Sequence, residues 1–506
     1  MKFDTRPLLS QWISKPISRR SLLGTVMLAA FSNSAIGRAT GATTPILNYI
    51  LGRPTSNSIA LSVVTNQDLR VYVEYGYAKS KYISKTPSIP VKANIPSVIE
   101  ISGLRANSRV FYRTRYATGS SKSLRTSKEA SFSTAKSNSS AFTFTVQGDT
   151  HPERAGKMFN SELYYVMMAN VARQKPDFHI MMGDDFSIDP LISKGLATQA
   201  NVEKVYRTHR NWLGVIGASV PIFLINGNHE QAAGYLLDGT KNNPAVLAGN
   251  ARLKYYPLPA PNDFYSGNLK EVPGVGLPRD YYSWTWGDAL FVTLDPYWHS
   301  PNPVDNVATT PTIDSETAKV TKPAKGKKNA GGAKDLWKIG IGDEQYLWLK
   351  KTLEESAAKF KFVFAHHVMG TGRGGIERSY DYEWGGNDPR GATSFTVERP
   401  NWELPIHDLM VKNRVSIFFQ GHDHIFVTQE RDGIIYQSMP NPADSTFSYF
   451  NDSAYTSGVK APNSGHVRVS VGDSEAVVEY FLVARENDSM RKNLQLAHRY
   501  SVKPAI

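Results

Sequence analysis

Six short apolar runs after residue 141 constrain the fold most strongly, because five of them end directly in a cluster of polar residues. In α/β sheets the carboxyl ends of neighbouring strands meet at one edge, where ligands bind. The five clusters are therefore predicted to lie together. The runs cover residues 142–146, 178–182, 222–225, 290–294, 362–365 and 415–419. The clusters are Gly148-Asp149-Thr150-His151, Gly183-Asp184-Asp185, Gly227-Asn228-His229-Glu230, His366-His367 and Gly421-His422-Asp423-His424.

Helical stretches separate these runs, at residues 161–174, 202–213 and 344–359. Strands that alternate with helices are typical of an α/β domain, which is the fold class we predict. Residues 466–502 return to strand-like alternation and are predicted to add edge strands to this domain. Residues 301–340 are rich in Pro, Thr, Lys, Gly and Ala, which predicts a long mobile insertion.

The first part of the chain has a different pattern. Between residues 45 and 135, short segments of alternating apolar and polar residues are separated by turn signals, as at residues 58–64 and 110–114. Strands at this spacing predict an antiparallel β-sandwich of roughly 100 residues. A chain of 506 residues is also too long for one ordinary domain, so two domains and a leader are expected.

The chain contains no cysteine, which excludes disulfides, thiolate metal ligands and cysteine nucleophiles. A metal site must then be built from histidine, carboxylate and amide oxygen, the groups that the five clusters supply. Such ligands suit Zn, Fe, Mn or Ca.

The ordered series of clusters resembles the calcineurin-like metallophosphoesterase superfamily, which includes the purple acid phosphatases, over about residues 142–430. The resemblance implies a four-layer αββα sandwich, and the region before it resembles the fibronectin-like N-terminal domain of purple acid phosphatases. The domains are accordingly expected at residues 1–42 (leader), 43–137 (fibronectin-III-like all-β sandwich) and 138–506 (catalytic domain with C-terminal strands).

The resemblance also implies the roles of the site residues, with two divalent or trivalent metal ions as cofactors. Asp149, His151 and His424 would bind the first ion, and Asp184 would bridge both. Asn228, His366 and His422 would complete the second, although the neighbouring His367 is an alternative to His366. His229 would contact the substrate phosphate or protonate the leaving oxygen. Glu230 or Asp423 would orient a neighbouring histidine, and Asp185 is expected to accept a hydrogen bond or cap a helix.

One position departs from the purple acid phosphatases. Three residues after the bridging aspartate those enzymes have a tyrosine that binds ferric iron, and here the residue is Ser187. His151 takes the place of that ligand, as in the wider superfamily. A purple enzyme is therefore not expected, and the metal identity stays open.

The implied function is hydrolysis of phosphate esters by attack of metal-bound hydroxide, with catalysis assigned to His229 and Asp184. A phosphomonoesterase of acid or alkaline phosphatase type is expected. A phosphodiesterase acting on nucleotides or phospholipids is the alternative, and a metal-stabilised binding or adhesion module is a third interpretation. Arginine matches phosphate oxygens well, so His229, Arg373 and Arg390 are predicted substrate contacts.

The amino terminus has the layout of an export signal. Ser18-Arg19-Arg20-Ser21-Leu22-Leu23 precedes an apolar stretch that ends at Phe31, too short to span a bilayer. It resembles a twin-arginine signal, so the export machinery is an expected partner and the location is predicted to be periplasmic or secreted, with no transmembrane segment after signal removal.

The net charge of +13 is uneven: residues 1–42 contribute +5 and residues 319–334 contribute +6. We therefore predict no specific nucleic-acid partner, although the lysine-rich segment could attract anionic surfaces.

Overall fold

The structure is a computed structural model that describes residues 44–119, 121–304, 336–368, 372–388 and 391–504, together with the backbone of residues 313–314 and 319–320. The predicted leader at residues 1–42 lies outside the described residues. Residues 45–506 form one compact unit. Among the described residues, no helix is long and apolar enough to cross a membrane.

The amino-terminal region is a β-sandwich, as its alternating pattern predicts. One sheet has the order β1-β2-β6, and the other has the order β4-β3-β7-β8, with β5 on β3 and β9 on β7. Inward residues such as Val71, Val73 and Val110 are fully buried between the sheets. The strands are β1 (Leu47–Gly52), β2 (Ser58–Thr65), β3 (Leu69–Gly76), β4 (Ser84–Lys85), β5 (Ile89–Val91), β6 (Ser97–Ser102), β7 (Arg109–Thr118), β8 (Arg125–Thr126) and β9 (Ala130–Ser133).

The catalytic region contains two mixed sheets, and the chain passes from the first to the second after β12 and returns to the first after β22. The first has the order β12-β11-β10-β23-β24-β25 and the second the order β13-β14-β15-β18-β19-β21-β20-β22, while β16 and β17 pair separately. In the first sheet β10, β11 and β12 are parallel, and in the second β15, β18, β19 and β21 are parallel.

The remaining strands are β10 (Phe142–Gln147), β11 (Phe178–Met181), β12 (Ile222–Leu224), β13 (Ser266–Gly267), β14 (Tyr282–Trp286), β15 (Ala289–Thr293), β16 (Ile313–Asp314), β17 (Lys319–Val320), β18 (Phe360–Ala365), β19 (Ile417–Gln420), β20 (Phe426–Arg431), β21 (Ile434–Ser438), β22 (Val459–Ala461), β23 (Gly465–Val471), β24 (Ala476–Leu482) and β25 (Leu496–Val502). The helices are α1 (Ser161–Gln174), α2 (Asp189–Ser193), α3 (Gln199–Leu213), α4 (Pro244–Tyr255), α5 (Gly342–Glu354), α6 (Tyr382–Gly385), α7 (Phe395–Glu398) and α8 (Ile406–Lys412). Short 3₁₀ turns occur at Pro152–Arg154, Gly234–Leu236, Leu336–Lys338 and Asp452–Ala454.

The parallel strands β10, β11, β12, β15, β18 and β19 are buried on both faces, which agrees with the mainly apolar runs in the sequence. Phe144, Phe291 and Phe364 belong to the core between the two sheets. The outer face of the first sheet packs on α1, α3 and α4, and the outer face of the second packs on α5 and α8. The layers are therefore helix, sheet, sheet and helix, and the predicted α/β four-layer class after an all-β region is confirmed.

The position of the C-terminal strands in the sheet differs from the prediction. They were expected at an edge, but β23 pairs with β10 on one side and β24 on the other, so it lies in the middle of the first sheet. Of the three C-terminal strands β23, β24 and β25, only β25 lies at an edge of this sheet. Alternation predicts that a segment is a strand, but the place of a strand in the sheet depends on distant partners that the pattern does not specify.

The β-sandwich packs on the catalytic region through β1 and β2. Arg210 of α3 is buried, and its guanidinium donates hydrogen bonds to Asn48 Oδ1 at 2.9 Å and to the Ser62 carbonyl at 3.0 Å. Ile50 joins the helix-side core of the catalytic region. A buried cation destabilises the fold unless its donors have acceptors. Because Arg210 finds these acceptors on β1 and β2, it stabilises the contact between the two regions. The domain boundaries at residues 42 and 137 stay predictions.

Candidate metal centre

The predicted ligands converge at the carboxyl edges of the two sheets. Each follows a strand end: Asp149 after β10, Asp184 after β11, Asn228 after β12, His366 after β18 and the histidines after β19. All seven predicted ligands are buried. The first sheet contributes the two carboxylates, the amide and His151, and the second contributes the other three histidines. The residues are Asp149, His151, Asp184, Asn228, His366, His422 and His424.

The backbone around these ligands is tight. Asp184, His422 and His424 have positive φ angles of 57°, 64° and 52°, a region that side chains other than glycine rarely adopt. A Cβ on Gly227 would lie 2.3 Å from Asp184 Oδ1, so only glycine fits there. Such strain commonly accompanies functional sites.

One group of donors surrounds the space between His151 and His424. Their Nε2 atoms are 3.1 Å apart, and His424 Nε2 is 3.0 Å from Asp149 Oδ2. His151 Nε2 is 3.5 Å from Asp184 Oδ2. Two imidazole nitrogens and two carboxylate oxygens therefore face one small volume.

A second group adjoins the first through Asp184. His366 Nε2 is 3.2 Å from Asp184 Oδ2 and 3.2 Å from Asn228 Oδ1. The ring of His422 lies 5.2 Å from that of His366. His367 can reach His366 and His422, but its Nδ1 is engaged by Tyr297 Oη at 3.1 Å. The direct approach to Asp184 favours His366 over His367 as the ligand.

Partners outside the cluster orient two of the imidazoles. His151 Nδ1 is 2.7 Å from Glu153 Oε1, and His366 Nδ1 is 2.8 Å from the Met182 carbonyl. Both contacts place the proton on Nδ1 and leave Nε2 as the ligand atom, which is the usual arrangement around a metal-bound histidine.

Glu230 and Asp423 differ from the expectation that they orient a histidine. Glu230 accepts hydrogen bonds from the backbone N–H groups of Asp184, Asp185, Phe186 and Gly227 at 2.7–3.0 Å. It therefore joins the β11 and β12 loops. A carboxylate beside a histidine in sequence can reach past it to the backbone, which the motif does not reveal.

Asp423 accepts from Gly374 N at 2.8 Å, from Tyr455 Oη at 2.6 Å and from Arg373 Nη1 at 3.1 Å. Arg373 also donates to the His422 carbonyl at 2.7 Å. Arg373 thus lies beside the predicted metal ligands and stabilises the loop between His422 and His424. Arg390, the other predicted phosphate contact, lies outside the described residues.

His229 lies at the partly exposed side of the cluster, with Nε2 4.0 Å from Asp184 Oδ2. Its Nδ1 forms a hydrogen bond with Asp189 Oδ2. Burial lowers the pKa of His229, but the carboxylates of Asp184 and Asp189 outweigh burial and raise it to about 9. Asp189 belongs to no recognised motif, so no sequence signal indicated its contact with His229.

Arg154 is a second residue that sequence reasoning did not select. Its Nη2 is 3.3 Å from His229 Nε2, and its Nε is 3.4 Å from Glu153 Oε1. Arg154 follows His151 by three residues, and this closeness in sequence to a predicted ligand could have indicated that it lies near the site. Arg154 therefore places a fixed cation beside the His229 ring.

The remaining predicted positions are also buried. Asp185 accepts from Thr150 Oγ1 at 2.8 Å and from Gln147 Nε2 at 3.1 Å, which agrees with its expected role as an acceptor. Ser187 is buried, and its Oγ has no hydrogen-bond partner among the described residues.

Burial and neighbouring charges shift the pKa values of the predicted ligands in different directions. Burial raises the pKa values of Asp149 and Asp184, but neighbouring imidazoles, His366 foremost, outweigh burial and hold both below their usual range. Burial depresses the pKa values of His151 and His422, so these rings are neutral donors at neutral pH. Ionised carboxylates and the neutral rings of His151 and His422 are donors that a divalent cation requires. Burial lowers the pKa of His366, but Asp184 and Asp149 outweigh burial and raise it to about 10, so this ring would release a proton when a cation binds.

Comparison with known proteins agrees with this geometry. The family model described as "Calcineurin-like phosphoesterase" matches residues 142–426, more than half of the chain. The chain belongs to the calcineurin-like phosphoesterase family. It is therefore a metal-dependent hydrolase of phosphate esters. No curated protein sequence matches the chain.

Solved structures support the fold of this phosphoesterase. The structure of PhoD is 14% identical, with a TM-score of 0.56, and the match covers 90% of this chain and 88% of that one. It shows a shared fold over both regions. The structure of GAP50, the anchor in the inner membrane complex of Plasmodium, is 12% identical and covers 72% of this chain and 90% of that one, but its TM-score of 0.35 is too low to support a conclusion.

Proposed function

We propose that this phosphoesterase holds two metal ions in adjoining sites that share Asp184. Asp149, His151 and His424 complete the first site, and Asn228, His366 and His422 complete the second. The observation that carries the proposal is the position of Asp184 Oδ2, 3.5 Å from His151 Nε2 and 3.2 Å from His366 Nε2. One carboxylate oxygen thereby borders both groups of nitrogen donors.

A pair of cations in these sites would neutralise phosphoryl charge and make water a better nucleophile near neutral pH. Side chains of the protein would supply the proton for the leaving oxygen. Asp189 fixes the His229 ring by its contact with Nδ1, which leaves Nε2 directed towards the site. The hydrogen bond to Asp189 favours the protonated form of that ring, so His229 can donate a proton to the leaving oxygen.

Phosphate monoesters are the substrates we infer, in preference to diesters. A monoester carries close to two negative charges near neutral pH, whereas a diester carries one. Arg154 and protonated His229 provide two cationic groups next to the ligand cluster, with 3.3 Å between Arg154 Nη2 and His229 Nε2. That charge matches a dianionic phosphate better than a diester, whose second ester oxygen also needs room there.

A comparison of two chromogenic substrates tests this preference. Purified wild-type chain should hydrolyse p-nitrophenyl phosphate with a larger kcat/KM than bis-p-nitrophenyl phosphate. A higher kcat/KM for the diester would reverse the assignment. Metal-loaded protein that hydrolyses neither ester would instead support a binding or adhesion role.

Export is part of the same proposal. The paired Arg19-Arg20 before an apolar stretch supports transport by the twin-arginine route to a periplasmic or secreted location. Replacing both arginines with lysine should retain the enzyme in the cytoplasm with its leader attached, because this pathway reads the arginine pair itself. Unchanged export of that variant, with cleavage, would point to a general secretory signal.

The metal identities stay open between Fe, Zn, Mn and Ca. Ser187 supports a centre without the tyrosinate ligand that colours purple acid phosphatases. The iron-loaded enzyme should therefore lack a strong visible absorption band, and a purple protein would show that another tyrosine, such as Tyr297, binds the iron.

A further inference from the structure

The amino-terminal β-sandwich carries most of the positive charge of the folded unit. Residues 43–137 contain 14 Lys and Arg but four Asp and Glu, a net charge of +10, whereas residues 138–506 have a net charge of −2. Outside the leader and the lysine-rich segment the positive and negative charges nearly cancel, but only because a basic domain offsets an acidic one. Concentrated charge of one sign attracts partners of the opposite sign.

Five of these cations share one sheet face. In the β3–β7 pair Tyr72 is opposite Arg115 and Glu74 is opposite Arg113, while β4 places Lys85 opposite Glu74. Residues directly opposite each other point to the same side, as do alternate residues along each strand. We name this surface the basic face. It comprises Arg70, Tyr72, Glu74, Lys85, Arg109, Phe111, Arg113 and Arg115.

Internal ion pairs do not cancel the charge of the basic face. Glu74 accepts from Arg113 Nε at 2.7 Å and lies 3.5 Å from Arg115 Nη1. A neighbouring acid, Glu129, accepts from Tyr82 Oη at 2.6 Å, so two acids offset part of the charge of the five cations. Arg70 donates to the Gly119 carbonyl and Arg109 donates to serine hydroxyls, and these neutral acceptors do not offset the positive charge of either side chain. Arg70, Lys85 and Arg109 are exposed to solvent.

The basic face is not used for contact with the catalytic region. Arg210 binds Asn48 of β1 and Ser62 of β2 in the other sheet. Tyr112 of β7 also donates to the Ala218 carbonyl at 2.7 Å, but its side chain is buried on the inward side of its sheet, opposite to the basic face. The two sheets of a sandwich present opposite outer faces. The outer face of the β3–β7 sheet is therefore accessible to a partner.

Apolar and aromatic side chains flank the cations. Ile83, next to β4, is 69% exposed, and Leu124, next to β8, is 41% exposed. The Tyr82 ring covers the guanidinium of Arg113 at 4.3 Å. Nucleic-acid surfaces combine cations with aromatic rings on which bases stack, whereas a bilayer interface also takes up isolated aliphatic side chains. The exposed Ile83 and Leu124 favour the bilayer.

We propose that the basic face docks the protein on the surface of a bilayer that contains anionic phospholipids. Headgroup phosphates would be attracted by the five cations, and Ile83 and Leu124 would enter the interface at the two edges of the sheet. Each Lys or Arg close to an anionic surface strengthens such binding, and the attraction weakens as salt screens it.

Vesicle binding tests the proposal. Residues 43–506 contain the whole compact unit 45–506, so leader-free protein can be mixed with phosphatidylcholine vesicles with or without about 30 mol% phosphatidylglycerol. The triple variant Arg70→Glu, Lys85→Glu, Arg109→Glu should bind the anionic vesicles at least about tenfold more weakly than wild type. The matched control is Lys194→Glu, Lys204→Glu, Lys241→Glu, which reverses three exposed charges of the catalytic region.

Three results would overturn the proposal. They are equal binding of the basic-face variant and wild type, equal binding to vesicles with and without phosphatidylglycerol, and tighter binding of single-stranded DNA than of anionic vesicles at the same salt concentration. Hydrolysis of p-nitrophenyl phosphate should be the same in all three proteins. That rate shows that the variants are folded and separates failure of docking from failure of the proposed catalytic function.

Discussion

His229 and Asp189 form a hydrogen-bonded pair beside the ligand cluster, with Nδ1 of the imidazole bonded to Oδ2 of the carboxylate. The pair fixes the ring and raises its pKa. Replacing Asp189 with Asn should lower kcat for p-nitrophenyl phosphate by about 10- to 100-fold, because general acid catalysis contributes about 100- to 10,000-fold. The metal content and the melting temperature should stay unchanged. An Asp189→Asn enzyme with wild-type kcat would show that the pair does not assist proton donation.

Arg154 should act on substrate binding. Its guanidinium lies next to His229 and is held by Glu153, so Arg154→Ala removes a cation without removing a ligand. The expected effect is a rise in KM for the monoester of about tenfold, with a smaller change for the diester. Arg173→Ala in the last turn of α1 is the control, since that exposed arginine lies at the helix end. Steady-state kinetics on both esters measure the difference, and equal effects on the two would refute a charge-based preference.

Glu230 should matter for stability as well as for catalysis. Glu230→Ala leaves four backbone donors of the β11 and β12 loops without their acceptor. A buried unsatisfied donor costs about 1–3 kcal/mol, and water entering the cavity would satisfy some of the four. The free energy of unfolding should therefore fall by roughly 3 kcal/mol or more in urea titrations, with weaker metal binding. A loss below about 1 kcal/mol, similar to that of a surface change such as Glu162→Ala, would contradict this role.

Acid should destabilise the fold through three buried histidines far from exposed surface. Burial lowers the pKa values of His179, His209 and His466 from 6.5 to about 3. The unfolded chain binds these protons below pH 6.5 and the folded chain does not, so stability present above pH 6.5 is lost as the pH falls towards 3. Each histidine contributes up to about 1.4 kcal/mol per pH unit in that range.

Urea unfolding at pH 5.5 and 7.5 measures this loss. His466→Gln, which can keep a hydrogen bond to Gln174, should remove the share of one histidine from the pH dependence, up to about 1.4 kcal/mol per pH unit below pH 6.5. Stability that is constant or higher at pH 5.5 would contradict the account. The expected loss favours a neutral or alkaline working range over that of an acid phosphatase.

The convergence of these side chains could be predicted from the sequence, because each follows a recognisable apolar strand. Their role as metal ligands stays a prediction. Strand ends in an α/β sheet share an edge, so Asp149, Asp184 and Asn228 had to come together once β10, β11 and β12 were parallel. Asp189 and Arg154 could not be found in this way, because their contacts with His229 depend on the conformation of the loops. The same holds for Glu230, whose side chain bonds to the backbone of a loop some 45 residues away in sequence.

The β-sandwich was predicted from its alternation, but the significance of its charge was not. Arg70, Lys85 and Arg109 are far apart in sequence and share a face only because β3, β4 and β7 pair in a particular register. Register also decided the central place of β23, which alternation alone placed at an edge.

Metal stoichiometry together with turnover tests the central claim most directly. Metal-free wild-type chain titrated with Mn²⁺ or Zn²⁺ should bind two ions in native mass spectrometry, and hydrolysis of p-nitrophenyl phosphate should rise with occupancy. Asp184→Asn should retain at most one ion and lose turnover by at least about a thousandfold, because its carboxylate borders both donor groups. Full turnover with one ion or none, or an Asp184→Asn variant that still binds two ions and hydrolyses the ester normally, would contradict the account.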